Sequence, residues 1–322
     1  MPPMLKGSHP KPTDLYRTFW KFASERQRIL IAQANGSRPP HTLDPVLLKY
    51  RFTNAYRAAD RVSQYLIRHV LYQGDTSPDE VVFRSLIFRT FNRIETWEYL
   101  AQCLGPITYK TFDPNRYAGV LDAVFASGKT IYSPAYIMPS QCGTFAEPRK
   151  HRNHLNLIQF MMRSDLTTQL EDARSLKEVF QTYYQYPMFG PFLAFQFAID
   201  INYSRIVDFS EMDYVVAGPG ARSGLHKCFH VSNSWSDDDT IRYVTDNQEV
   251  DSKAFGEHFE SLWGRPLQLI DVQNLFCEVD KYTRVSHPGA QGIGGRTRIK
   301  RLYSPAPQQI EYWFPPKWHL KR

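Results

Sequence analysis

The stretch Tyr186-Pro187-Met188-Phe189-Gly190-Pro191-Phe192-Leu193-Ala194-Phe195-Gln196 reads as a tight turn that opens an apolar helix. Gly190 is free to take backbone angles closed to other residues, and Pro191 suits the first helical position, where a missing N–H costs nothing. The unpaired N–H groups at such a helix start point outward as an anion site. Beyond that helix stand Glu211-Met212-Asp213-Tyr214 and a second turn, Gly218-Pro219-Gly220. One turn to hold a backbone phosphate and one carboxylate a helix later make an economical device for acting on nucleic acid. An ordinary interhelical turn, with Asp213 as a helix N-cap, fits the same residues.

The pattern Pro-x-(aliphatic or aromatic)-Gly-x-x-x-Ala resembles the hairpin of helix-hairpin-helix DNA glycosylases. The resemblance implies that Phe189, Gly190 and Pro191 grip DNA and that Asp213 is the catalytic aspartate, and the second turn adds Gly218 and Gly220 as DNA-binding candidates. The usual first hairpin glycine is Met188 here, and the position of a Schiff-base lysine holds Phe192. A covalent amine mechanism is therefore not expected at that site.

The chain has 322 residues, 42% of them hydrophobic and 14% aromatic, enough for one large core or two small ones. No apolar run approaches the roughly 20 residues that span a bilayer, and Met1 to Pro12 show no apolar signal region. An intracellular protein (cytoplasm or nucleoid, or a nucleus) without a membrane partner is expected. Cys103, Cys142, Cys228 and Cys277 stand far apart with no CxxC spacing, so neither a disulfide framework nor a metal site is indicated, and no cofactor is expected.

The charge is uneven. Residues 1 to 40 carry +5 and residues 281 to 322 carry +8, so a net charge of +7 leaves the middle at −6. Basic ends around a mildly acidic body suit a protein whose ends follow a polyanion, most simply DNA. The domain reading is a basic N-terminal extension and linker (1–42), a helical domain (43–285) with a polar insertion near 231–263, and a basic, aromatic C-terminal tail (286–322).

Along the chain, an amphipathic piece spans about Leu15 to Gln33. From Asp44-Pro45 the spacing of Leu48, Phe52, Ala55, Ala59, Val62 and Leu66 predicts one helix to about Tyr72, with Asn54, Arg57 and Arg61 on one side. A second helix is predicted from Pro78 to Ala101, with Arg89, Asn92, Arg93 and Glu95 clustered near Phe91. Further helices are predicted at about 114–126, 154–162, 175–184, 191–203 and 270–282. Ile131 to Pro139 is an apolar, aromatic segment suited to a core or a pocket wall. Gly220 to Lys227 and Gly292 to Thr297 look like phosphate loops but lack the G-x-x-x-x-G-K-[ST] order and any surrounding strands, so nucleotide hydrolysis is not expected. The fold class is all-α, or nearly so.

Six stretches in order, RFTNAYRAADR (51–61), FRTFNRIETWE (88–98), SPAYIM (133–138), FGPFLAFQFAIDINY (189–203), MDYVVAGPGARSGL (212–225) and LFCEVDKYTR (275–284), carry a family resemblance. Together they resemble the helical domain of 5-hydroxymethyluracil DNA kinases and the related alpha-glutamyl/putrescinyl thymine pyrophosphorylases. The resemblance implies a glycosylase-like helical fold acting on duplex DNA that holds a modified pyrimidine. It also implies a small amine as co-substrate in the pyrophosphorylase arm. No P-loop kinase domain is expected within these 322 residues, so kinase activity is not expected to carry over. On this reading the base is rotated out of the stack. Its pocket draws on Asn54, Arg57, Arg89, Asn92, Arg93, Tyr136, Glu278, Asp280 and Lys281, and Asp213 acts as general base or stabilises developing positive charge. Three functions stay open: displacement of pyrophosphate or a similar group from the base, excision of the base, and DNA binding without chemistry.

Overall fold

The computed structural model describes residues 9–140, 144–231, 234–304 and 311–320. The helices in chain order are α1 (Leu15–Ala34), α2 (Pro45–Lys49), α3 (Arg61–Tyr65), α4 (Pro78–Phe91), α5 (Ile94–Leu104), α6 (Pro114–Ala126) and α7 (Lys150–Arg163). They continue with α8 (Leu166–Glu171), α9 (Leu176–Tyr184), α10 (Pro191–Asn202), α11 (Pro219–Cys228), α12 (Asp237–Asp246), α13 (Gln248–Ala254) and α14 (Leu269–Ser286). Among the described residues there is no strand, only isolated antiparallel bridges. The all-α expectation holds. Among the same residues, no helix is long and apolar enough to cross a membrane. Cys103, Cys228 and Cys277 are free thiols, and Cys142 lies outside the described residues.

The chain divides into two units. Unit one takes the chain to Asp60, Val215–Tyr312 and the residues from His319, and unit two takes Arg61–Tyr214 with Trp313–Trp318.

Unit one is built on α14. Phe19 of α1 stacks on Phe276 at 4.4 Å, and Phe22 meets Tyr282 at 5.1 Å. The amphipathic piece near the N-terminus is thus core of unit one. Helix α11 lies so close to α14 that a Cβ at Gly224 would strike the Phe276 carbonyl, and one at Gly220 the Cys277 sulfur. The Gly220-x-x-x-Gly224 spacing that looks like a phosphate loop is therefore a helix-packing face, with both glycines one turn apart on the same side.

The single helix expected from Asp44 to Tyr72 is not formed. Asp44 does cap α2, accepting from the N–H groups of Val46 and Leu47, but Tyr50 leaves in extended conformation. The chain then runs through the 3-10 turn Arg57–Ala59 and α3 into a π-helical turn, Leu66–Leu71. The cause is tertiary. Arg51 N–H donates to the Arg301 carbonyl at 3.1 Å, and Tyr303 N–H to that of Lys49 at 2.9 Å. Thr53 N–H donates to Glu278 Oε2 at 2.9 Å, and Arg26 Nε to the Thr53 carbonyl at 3.0 Å. Backbone groups paired in this way need no helix, and distant partners outweigh local spacing. Asn54, Arg57 and Arg61 consequently share no helix face.

Unit two is built on α10, which is apolar on nearly every side and buried from Leu193 to Asn202. The helix expected from Pro78 to Ala101 breaks in two. Asn92 ends α4 in the left-handed conformation (φ 49°), which an asparagine tolerates better than most residues, and α5 begins at Ile94.

Candidate functional site

In unit two, α9 and α10 form a hairpin. Pro191 takes the first helical position as expected, but the left-handed residue is Met188 (φ 69°), while Gly190 is extended at φ −77°, ψ 169°. This corrects the expectation that Gly190 supplies the unusual backbone angle. The chain reverses two residues earlier, at a methionine whose buried side chain offsets the local strain. Phe189 is buried against Phe197 at 4.8 Å. Gly190 and Pro191 are exposed, a Cβ on Gly190 would meet nothing within 4 Å, and no side chain caps the start of α10.

Beside this helix start lies a cluster drawn from α4, α10 and the aromatic segment. Arg89 and Asp200 are both fully buried and form a bidentate ion pair, with Nη2 to Oδ1 at 2.7 Å and Nε to Oδ2. Arg89 Nη1 donates to Asn92 Oδ1 at 2.7 Å, and Asn92 Nδ2 to the Ala135 carbonyl at 3.2 Å. The left-handed turn that ends α4 is what aims Asn92 back at Arg89. The guanidinium stands 5.0 Å from the centre of the Tyr136 ring, a cation–π contact. Tyr136 stacks in turn on Phe192, with centroids 5.9 Å apart and planes 12° from parallel. Both rings are half-buried. The result is an aromatic shelf at the second residue of α10, anchored from beneath by a buried ion pair.

Behind the shelf segment, His154 Nε2 lies 2.8 Å from the Pro139 carbonyl, an acceptor only, so Nε2 carries the proton. Nδ1 then accepts from the Tyr132 hydroxyl at 2.7 Å. Burial holds the His154 pKa down to about 4 and pushes that of Tyr132 up. The pair is neutral and fixes residues 131–139 to α7.

After α10 the chain doubles back. Asn202 exchanges two hydrogen bonds with Phe209, and Tyr214 packs on Phe180 of α9 at 5.1 Å and on Phe195 of α10 at 6.1 Å. Asp213, exposed and next to Tyr214, is thereby returned to the hairpin side of α10; Phe195 lies about 6 Å along the axis from Pro191. Its rivals differ in setting: Glu211 is buried, and Asp208 is exposed with Lys317 at 3.2 Å.

The remaining sequence candidates fall elsewhere. Arg93, one third exposed, pairs with Glu95 at 3.3 Å in unit two. In unit one, Asn54 donates to the Ala59 carbonyl at 2.7 Å and accepts from Arg26 Nη2 at 2.8 Å. Arg57 is buried, and its N–H donates to Asp271 at 2.8 Å. Glu278 takes Lys281 Nζ at 2.8 Å besides Thr53. Asp280 accepts from Ser223 at 2.8 Å, from Lys227 at 3.0 Å and from Arg284. Burial works against its charge, but those donors outweigh it and hold its carboxyl below the usual range. Gly218 is buried as the N-cap of α11, and Gly220 is occupied by the packing on Cys277.

Three residues were missed by sequence reasoning: Asp200, Phe192 as half of the shelf, and Arg26 of α1. Asp200 carried a signal, since it is the lone acid inside the apolar run Phe192–Asn202. Arg26 carried none, because its partners lie beyond a linker. Among the described residues, no group of three or more His, Cys, Asp or Glu side chains could hold a metal ion.

A chain whose described residues form helices and no strand, and which carries these motifs, matches a known helical family. Residues 13–292 match the family described as 5-hmdU DNA kinase, helical domain, and the chain belongs to that family. The 5-hmdU DNA kinase of Bacillus phage SP10 is 27% identical over 283 residues, covering 80% of this chain and 43% of the relative. The chain thus spans less than half the length of that curated relative. Helix α1 lies inside the matched range. No solved structure matches the chain.

Proposed function

We propose that this chain binds duplex DNA, takes a 5-hydroxymethyluracil-derived pyrimidine out of the stack, and displaces pyrophosphate or a similar leaving group from it. The observation that carries the reading is the Tyr136–Phe192 shelf at the exposed start of α10. An aromatic face receives an unstacked base, and the free N–H groups of Phe192 and Leu193 suit a neighbouring phosphate, in the manner of a helix-hairpin-helix grip. With an amine as co-substrate, nitrogen bonds to the 5-methylene carbon and the bond from that carbon to the pyrophosphate oxygen breaks. The bonding electrons leave on pyrophosphate and the amine's proton passes to Asp213. Basic residues within 1–42, a range that includes α1, and within 286–322 extend the contact along the DNA.

A second reading is excision of the base by water. It is favoured by the exposure of Asp213 on the hairpin side, where a water can reach it, and it proceeds without a covalent amine because Phe192 stands at the lysine position.

The test uses oligonucleotides bearing thymine, 5-hydroxymethyluracil or its phosphorylated forms, with and without an amine, read by mass spectrometry. A mass change matching amine for pyrophosphate supports the first reading and an abasic site the second. Unchanged but bound DNA leaves a binding module. Phe192→Ala should weaken binding of the active oligonucleotide by roughly 5- to 150-fold, the worth of one stacked base. Undiminished affinity removes the shelf from the mechanism.

A further inference from the structure

In unit one, Tyr50 stands opposite Leu302 in an antiparallel bridge, which sets Arg51 opposite Arg301. Directly opposed residues on such a pair put their Cβ atoms about 5 Å apart on one face, and like charges there destabilise the pairing. Both arginines are exposed, and among the described residues neither stands in an ion pair. Partial burial of the residue, and after it the charge of Arg51, holds Arg301 below the usual guanidinium range, although the carboxylates of Glu278 and Asp60 pull the other way. At the next residue, Phe52, Lys281 Nζ lies 4.4 Å from the ring centre and is paired with Glu278.

We propose that Arg51 and Arg301, set side by side by the pairing of residues 49–51 with 301–303, form a clamp for one phosphate of the DNA backbone. This rests on the DNA-binding reading above. Two guanidinium forks suit a single phosphate, which accepts charge-assisted hydrogen bonds from both and removes their mutual repulsion. The phosphate therefore adds stability to the docking of the 301–303 segment on the 49–51 segment, which the backbone hydrogen bonds already form.

The clamp makes a non-additive prediction. In a salt titration of duplex DNA binding by the full chain, Arg51→Gln and Arg301→Gln should each lower the log–log slope by about 0.9, one phosphate's worth, and the double variant by no more. Arg51→Lys with Arg301→Lys should keep the slope. Because the opposed charges oppose folding, the glutamine variants should unfold at no lower urea concentration than the parent, which separates lost binding from lost structure. Unchanged slopes in the single variants, or a drop of about 1.8 in the double, overturn a shared clamp. Should the parent fail to bind duplex DNA, the DNA reading falls by itself and the clamp is judged on inorganic pyrophosphate. Binding by the parent and not by the double variant sustains the clamp; equal binding by both, or binding by neither, overturns it.

Discussion

Arg89 of α4 and Asp200 of α10 hold each other in a bidentate pair with neither side chain in contact with solvent. The pair sits in the interior of unit two, where a charge left alone has no means of hydration. Asp200→Ala should therefore cost about 3–5 kcal/mol of stability, measured by urea unfolding. Replacing both partners, Arg89→Met with Asp200→Leu, should recover most of that cost while removing the cation beneath Tyr136. A single substitution that costs less than about 1 kcal/mol would show that the charges are hydrated after all.

Gly190→Val probes the start of α10. The added side chain meets open space and the backbone is already in a region that valine favours, so the unfolding midpoint should stay with the parent's. DNA affinity should fall, because branched carbons then stand where a phosphate approaches the free N–H groups. Equal affinity in parent and variant means that no phosphate comes to this turn.

Asp213→Asn keeps shape and removes charge. If Asp213 takes the proton of the attacking group, single-turnover rates should fall by about a hundredfold or more with DNA affinity retained. Glu211→Gln and Asp208→Asn run beside it test the neighbouring acids. A fully active Asp213 variant ends its assignment.

His154 gives a pH dependence of known sign. Its folded pKa is near 4 and its unfolded value near 6.5, so between those values the unfolded chain takes a proton that the folded chain refuses. The stabilising contribution is complete above about pH 6.5, declines as pH falls toward 4, and changes no further below; the total is about 3 kcal/mol. His151, also lowered, first by burial, adds to the decline in the same direction. Unfolding free energies of the parent and of His154→Gln across pH 4 to 7 should converge toward the acid end; parallel curves refute the assignment.

The hairpin and α10 were legible because Gly190-Pro191 and the apolar run are local signals, and so were α6 and α9, which carry Asp113-Pro114 and Ser175 at their starts. What periodicity could not show was position-specific. The break at Asn92 depends on one residue turning left-handed, and the extended run 50–56 depends on Glu278 and Arg301, more than two hundred residues away. The same holds at the site. Arg89, Asn92 and Tyr136 were readable as a polar and aromatic set, whereas the fact that Arg89 is spent on Asp200, and so supports a ring instead of facing a ligand, required the interior of unit two.

The stacking of Phe19 on Phe276 has a consequence for synthesis. Phe276 is added 257 residues after Phe19, with all of residues 61–214 in between. At roughly 5–20 residues per second, α1 waits on the order of 10 to 50 seconds for the helix that covers its aromatic face. Residues 61–214 can meanwhile close on themselves. During that interval the nascent chain carries Phe19 and Trp20 uncovered, and slower elongation through the middle of the message lengthens the time in which a chaperone must shield them.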